Sequence, residues 1–244
     1  MRLLTEIRET LLPARGSRHG PLPPLLLAMT VVTGLVDAFS YLILGRVFVA
    51  NMTGNVVLLG FALAGAPGFS IANSAIAVAF FMLGALAGGS LGTRFAQRRD
   101  RLLAAAVALQ VCLFAAAAIL AVPGGNPVAD GYRYALIAVL AVAMGMQNAS
   151  VRKLAVPDLT TTVLTQTITG IAADSAMAGG QGSSTGRRLL AVAAMLAGAL
   201  AGAVLVLRVH IAITLVIATV ILAAVAATAR ALGRAAPPWV RGGS

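Results

Sequence analysis

An all-α integral membrane fold is what the sequence predicts, with six full spanning helices plus two broken or re-entrant short helices arranged as two inverted repeats. Three observations predict it. The 244 residues are 59% hydrophobic and only 10% charged, with a mean hydropathy of +0.95, so the charges are too few to coat a soluble surface. The apolar runs are far longer than strands and lack the period-two alternation of an outer-membrane barrel. Finally, two polar breaks, Val47 to Asn55 and Val156 to Thr167, interrupt long apolar stretches.

The net charge of +11 does not point to nucleic acid, because the basic residues lie between apolar runs rather than on one soluble face. They read as topology determinants, with arginine-rich short loops marking the cytoplasmic side. The single cysteine, Cys112, sits inside an apolar run, where it reads as a small buried or lipid-facing side chain and has no cysteine to pair with.

Residues 1–20 place Leu3, Leu4, Ile7, Leu11 and Leu12 at helical spacing with charges largely elsewhere, which predicts an amphipathic helix on the cytoplasmic membrane surface. A secretory signal is disfavoured by Asp37 and by the lack of a small-residue cleavage site after the apolar run. Pro21, Pro23 and Pro24 then lead into the transmembrane domain, residues 21–230. Leu25 to Gly45 is the first span, roughly 30 Å at about 1.5 Å per residue. Val56 to Ala66 supplies only half a membrane of helix, stopped by Pro67 and Gly68. Ile71 to Thr93 spans again with Gly84, Gly88 and Gly92 on one face, smooth enough for close helix contact. Leu102 to Val122 and the Pro123 to Pro127 turn close the first half.

The second half runs through Tyr134 to Ser150, the second break with a short helix to about Ala178, a Gly/Ser-rich loop from Gly179 to Gly186, and two spans at Leu189 to Leu207 and Ile211 to Ala229. Residues 231–244 read as a partly disordered cytoplasmic tail. Three landmarks recur in order: Gly34–Ala38 with Gly145–Ala149, Thr53–Asn55 with Thr165–Thr167, and Gly84–Gly88 with Gly198–Gly202. Collinear matches of this kind indicate a duplication, with repeat one at about 25–122 and repeat two at about 133–230. If both short segments enter and leave by one side, the basic loops at Arg94 to Arg101, Arg152 with Lys153, and Arg187 with Arg188 all fall inside, as do both termini. The halves are then inverted, a plan in which two half-helices meet at the midplane and build a site from their ends.

Asp37 is the most informative residue, since a carboxylate within a span costs roughly 2.5–3.5 kcal/mol and needs the bundle interior, water or a partner. Its counterpart in the repeat is the neutral Asn148. Asn51, Thr53, Gly54 and Asn55 begin the first half-helix, and Thr161, Thr165 and Thr167 begin the second, with Gln147 nearby. Free N–H groups and capping side chains at such starts suit an anion or a carbonyl oxygen, although capping alone also explains them. Asp158 and Asp174 read as solvated loop carboxylates and Gln110 as an interhelical hydrogen-bonding amide. His19 and His210 lack carboxylates at ligand spacing, so neither a metal site nor a cofactor is expected. The Gly179–Gly186 loop lacks the Gly-Lys-Ser/Thr ending of a phosphate cradle, and no clustered nucleophile suggests an enzyme.

The strings Gly34–Tyr41, Val47–Asn55, Met144–Ala149 and Asp158–Thr165 resemble the YoaK-type family of bacterial multipass membrane proteins, a domain of unknown function, over residues 25–230. Where the family pattern suggests glycine after Thr165, this chain has Gln166. The resemblance implies a bacterial inner (plasma) membrane protein and supplies no activity. The expected function is therefore a transporter or channel for an unidentified small solute or ion, with Asp37, Asn51, Thr53, Asn55, Asn148, Thr161, Thr165 and Thr167 along its path. The competing expectation is a scaffold or sensor whose polar breaks are structural. The expected partners are the lipid bilayer, the solute or ion, and a second copy of the chain joined through the faces carrying Gly84, Gly88, Gly92, Gly198 and Gly202.

Overall fold

A computed structural model describes residues 2–14, 16–125, 127–162, 164–175, 178–180, 184–234 and 238–240. Val163 of the second break, much of the Gly/Ser-rich loop and the last four residues of the tail lie outside the described residues. Among the described residues, nine α-helices follow in order: α1 (Arg2–Leu11), α2 (Leu22–Ile43), α3 (Met52–Leu63), α4 (Ile71–Arg94), α5 (Arg99–Ala121), α6 (Asp130–Leu154), α7 (Leu164–Ala173), α8 (Thr185–Arg208) and α9 (Ile211–Gly233). Six of them, α2, α4, α5, α6, α8 and α9, have 22–25 residues and the hydropathy to cross a membrane. The 12 residues of α3 and the 10 of α7 reach only about 18 and 15 Å, too short to cross. The protein is an all-α integral membrane protein.

Close packing along two glycine faces sets the centre of the bundle. A Cβ on Gly84 would lie 2.0 Å from the carbonyl oxygen of Val142, and one on Gly198 2.0 Å from that of Val31. One turn further, Gly88 meets the Met146 carbonyl and Gly202 that of Leu35, each at 2.6 Å. In both cases residue numbers rise together, so α4 runs parallel to α6, and α8 parallel to α2. Gly145 and Gly34 complete the fit from the other side, against the carbonyls of Phe81 and Met195. Gly92 packs on the Lys153 side chain. These faces are occupied within the chain, so they offer no free surface for the second copy expected from their spacing.

The polarity of the helices follows from contacts at their ends. Asn73, at the start of α4, donates to the carbonyls of Leu44 and Gly45 just past the end of α2, so α4 runs opposite to α2. Because α6 parallels α4, α2 and α6 also point in opposite directions. The starts of α2, α5 and α8 share one end of the bundle with the ends of α4, α6 and α9: Arg99 donates to the Leu154 carbonyl, and Gly233 faces Asp100. Arg94, Arg98, Arg101, Arg152, Lys153, Arg187, Arg230 and Arg234 gather there, whereas Arg46, Arg133 and Arg208 mark the opposite end. α2 and α6 are the most buried spans, and α4 and α8 turn most of their surface outward. Leu86 of α4 and Leu200 of α8, with Ile119 of α5 and Val220 of α9, are among the exposed apolar side chains, as a lipid-facing surface requires.

The N-terminal amphipathic helix forms as expected. Glu6 accepts the N–H of Gly186, tying α1 to the start of α8, while Leu3, Leu4, Leu11 and Leu12 stay exposed. Of the tail, only residues 231–234 and 238–240 are described. Pro238–Val240 forms a 3-10 turn in which Trp239 and Val240 are buried, the indole packing where a side chain on Gly20 would stand. Several helix limits also shift. α6 extends four residues beyond Tyr134 to Ser150 at each end, and its last turn carries Arg152 and Lys153, which favour a helix C-terminus. α3 begins at Met52 rather than Val56 because the Asn51 side chain accepts the Gly54 N–H, placing Thr53, Gly54 and Asn55 inside the first turn.

Candidate functional site

The first polar break is a hairpin-like excursion that leaves and rejoins the bundle at the same end. Asn73 holds its start, and the Arg46 guanidinium spans its two limbs, packing where a Gly68 side chain would be and over the Phe69 ring at 5.4 Å. Inside the excursion the chain descends to Asp37, six residues and so about 9 Å below the end of α2. The N–H groups of Val49 and Ala50 both donate to Asp37 Oδ1, at 3.2 and 2.9 Å. Asn55 closes on Phe48, accepting its N–H at 2.9 Å and donating to its carbonyl at 2.6 Å. An extended backbone inside an apolar bundle is thus satisfied by side chains.

The second break repeats the arrangement from the basic end. Arg188 bridges its limbs, donating to Asp158 at 2.8 Å and to Asp174 at 2.6 Å, and Arg187 donates to the Pro157 carbonyl. Asp158 and Asp174 are therefore paired, not the freely solvated loop carboxylates expected. A cation at the start of α8 could close both limbs only once the chain folded back, which spacing does not reveal. α7 stops at Ala173 rather than near Ala178. The Thr162 hydroxyl donates to Asn148 Oδ1, the position on α6 that matches Asp37 on α2. Thr161 holds a left-handed backbone, φ +60°, with its hydroxyl 3.3 Å from Gln147 Nε2.

Between the starts of α3 and α7 lies a cavity of about 840 Å³. Of the residues expected along the path, Asp37, Asn51, Thr53, Gly54, Asn148 and Thr165 line it. A second cavity of about 370 Å³ continues along α2 and α8, sharing Asp37, Tyr41, Phe48, Asn51 and Met195. Four expected residues are elsewhere. Asn55 is consumed by Phe48, and Thr167 is buried on α7 away from the lining. Gln147 accepts from Gln110 at 2.6 Å and donates to Thr33 at 2.9 Å and to Thr161, so Gln147 and Thr161 join α2, α5, α6 and the second break in a buried polar network. Gln110 makes the interhelical bond expected of it.

Other lining residues lie outside the expected path, among them Gln166, which the sequence marks by its departure from the family pattern. Tyr41 and Phe48 stack with ring centroids 4.9 Å apart, and Phe81, Thr162, Gln166 and Met195 complete much of the wall. Tyr41 follows Asp37 by one helical turn, and Thr162 stands in the threonine run, so these two had a signal. Phe81 and Met195 look like ordinary span residues until α4 and α8 pack.

Among the described residues, Asp37 is the only charged one lining the large cavity. Its Oδ2 has no hydrogen bond to a described residue, and no cationic side chain among them pairs with it. Met52, Thr53 and Gly54 of α3 and Leu164, Thr165 and Gln166 of α7 face the same space, so the positive ends of two short helices converge there. The walls offer one carboxylate, several amides and hydroxyls, and an aromatic pair. That set can hold a proton or cation at one point and hydrogen-bond a polar solute around it.

Comparison with known proteins places these features in one family. Residues 25–228 match the family model described as "Protein of unknown function (DUF1275)". The chain is 32% identical over 156 residues to the UPF0700 transmembrane protein YoaK of Bacillus subtilis strain 168, covering 62% of this chain and 65% of that relative. No solved structure matches. Since the family match encloses both polar breaks and every spanning helix but the ends of the first and last, the chain belongs to the DUF1275 family.

Proposed function

We propose that this protein is a transporter or channel carrying a small solute or ion across a bacterial inner membrane, with its path between the starts of α3 and α7. One observation carries the reading: corresponding segments of the two halves converge on a cavity that, among the described residues, holds a single carboxylate without a cationic partner. An intramembrane charge of this kind is costly to keep unless it is used. The antiparallel directions of α2 and α6, the parallel glycine-packed pairs and the excursions from opposite ends support an inverted repeat, the plan of many secondary transporters. The concentration of arginine at one end supports a cytoplasmic location for that end, and with it for α1 and the tail. No enzymatic activity is proposed.

Asp37 is assigned the charged step, and Asn51, Thr53, Asn148 and Thr165 the polar lining. Flux in proteoliposomes, screened over small cations, anions and polar metabolites, tests the assignment. The accepted solute should be carried by the native protein and lost in Asp37→Asn at unchanged helical content.

A non-transporting scaffold or sensor is the second reading. The Gln110–Gln147–Thr33–Thr161 network and the closed Asn55–Phe48 pair favour it, because they show polar residues serving packing alone. It predicts no flux of any solute and no ligand-dependent thermal shift.

A further inference from the structure

Apart from the central cavity, a cleft of about 600 Å³ opens at the basic end between the start of α5 and the end of α9. Arg98, Arg101, Arg230 and Arg234 border it with Asp100. Arg98 grips Asp100 in a two-pronged pair, Nε to Oδ1 at 3.0 Å and Nη2 to Oδ2 at 2.9 Å. The carboxylate is thereby neutralised. The pair also seats against Gly233, where an added Cβ would come within 2.7 Å of Asp100, so α5 and α9 touch there and the cleft has a fixed floor.

Arg101, Arg230 and Arg234 have no ion pair with a described residue, and all three are exposed. Arg230 and Arg234 stand one turn apart at the end of α9, facing Arg101 across the cleft. Four arginines against one aspartate leave a formal charge of +3 on its rim. Its apolar lining is Ala104 and Ala105, which lie deeper along α5 toward the spanning region, and Phe95 at the C-cap of α4. Arg101 lies in the first turn of α5 and Ala105 one turn deeper into the span. A polar anionic group joined to a hydrocarbon chain matches this order of charge and grease along the membrane normal. Basic pockets between spans on the cytoplasmic side suit such head groups, and guanidinium forks suit phosphate oxygens.

We propose that this cleft is a binding site for an anionic phospholipid, the phosphate held by Arg101, Arg230 and Arg234 and the acyl chains lying along Phe95, Ala104 and Ala105. The site rests on the surface of α5 and α9 and does not depend on what the central cavity carries. Arg230 and Arg234 also complement the carbonyl end of α9, a role that needs no lipid, so the test must separate the two.

Native mass spectrometry of the full chain in detergent does so, titrating phosphatidylglycerol, phosphatidylcholine and inorganic phosphate separately. The native protein should retain phosphatidylglycerol in preference to phosphatidylcholine, and equimolar inorganic phosphate should not displace it. The triple variant Arg101→Gln/Arg230→Gln/Arg234→Gln should weaken retention by about tenfold or more. A control, Arg94→Gln/Arg152→Gln/Lys153→Gln, removes equal charge from the same end and should stay within about twofold. Equal retention by the two triple variants overturns the site, as does equal retention of the two lipids or displacement by equimolar phosphate. If the triple variant loses helical content, Arg234→Gln alone is measured, and native-like retention by that variant overturns the proposal.

Discussion

Asp37 on α2 and Asn148 on α6 hold matching places in the two halves, each accepting a hydrogen bond from the polar break that follows its own helix. Asp37 takes the backbone N–H groups of Val49 and Ala50, whereas Asn148 takes the hydroxyl of Thr162. The geometry is shared but the charge is not. Any charge-dependent step therefore falls on the first half, and Asn148 is the natural place to try moving it.

The parallel helix pairs make a sharp stability prediction. Gly84→Ala or Gly198→Ala puts a methyl group 2.0 Å from a backbone oxygen, so the helices must separate, at a cost of about 1–3 kcal/mol or more. Gly89 lies in the same helix as Gly84 with nothing within 4 Å of an added Cβ. Gly89→Ala should be neutral or stabilising by about 0.5–1 kcal/mol. Thermal unfolding in detergent checks both, with a lowered Tm expected for the first two and none for the third.

Gln147 should matter for folding rather than for transport. Gln147→Ala leaves the buried Gln110 amide N–H with only the Met144 sulfur as acceptor, costing about 1–3 kcal/mol, while the Thr33 hydroxyl keeps its bond to the Met29 carbonyl. A lower Tm is expected, together with flux that persists once corrected for folded protein. Loss of flux at native stability would place Gln147 on the path after all.

Arg188 pins both limbs of the second excursion. Its partners are partly exposed, so Arg188→Gln should cost no more than about 1 kcal/mol of global stability. The local effect should be larger: amide hydrogen exchange in residues 155–175 should speed up while that of α2 stays unchanged. Unaltered exchange across the excursion would show that the ion pairs do not hold it.

His19 supplies a pH dependence outside the spans. Burial, and then the guanidinium groups of Arg99, Arg187 and Arg18, hold its imidazole below its ordinary range. The unfolded chain takes up a proton below about pH 6.5 that the folded chain resists, so stability is present above that value and falls as the pH drops through it. His19→Gln should show a shallower loss of Tm between about pH 7 and 5. An equal loss would assign the effect to other groups.

Much of this architecture was legible in the chain itself, because lipid admits few solutions. Length and hydropathy identify six spans, and charge asymmetry in the loops separates spans from excursions. Asp37 stood out as a carboxylate within an apolar run. Its partners did not, since the N–H groups of Val49 and Ala50 leave no mark in a sequence. Gln147 and Asn148 look alike as neighbouring amides in one span, yet a helix turns successive side chains about 100° apart, sending one into a buried network and the other to the cavity. The glycine spacing announced close contact without saying with what, and the partner proved to be another span of the same chain.

The central claim is that the Asp37 carboxylate, which has no cationic partner among the described residues, drives solute or ion movement through the cavity between α3 and α7. The most direct measurement is proteoliposome flux for the native protein, Asp37→Asn, and the exchange variant Asp37→Asn/Asn148→Asp, each at matched folded content. The account predicts flux for the native protein, none for Asp37→Asn, and partial recovery when the carboxylate is returned at position 148. Native-level flux in Asp37→Asn would contradict it.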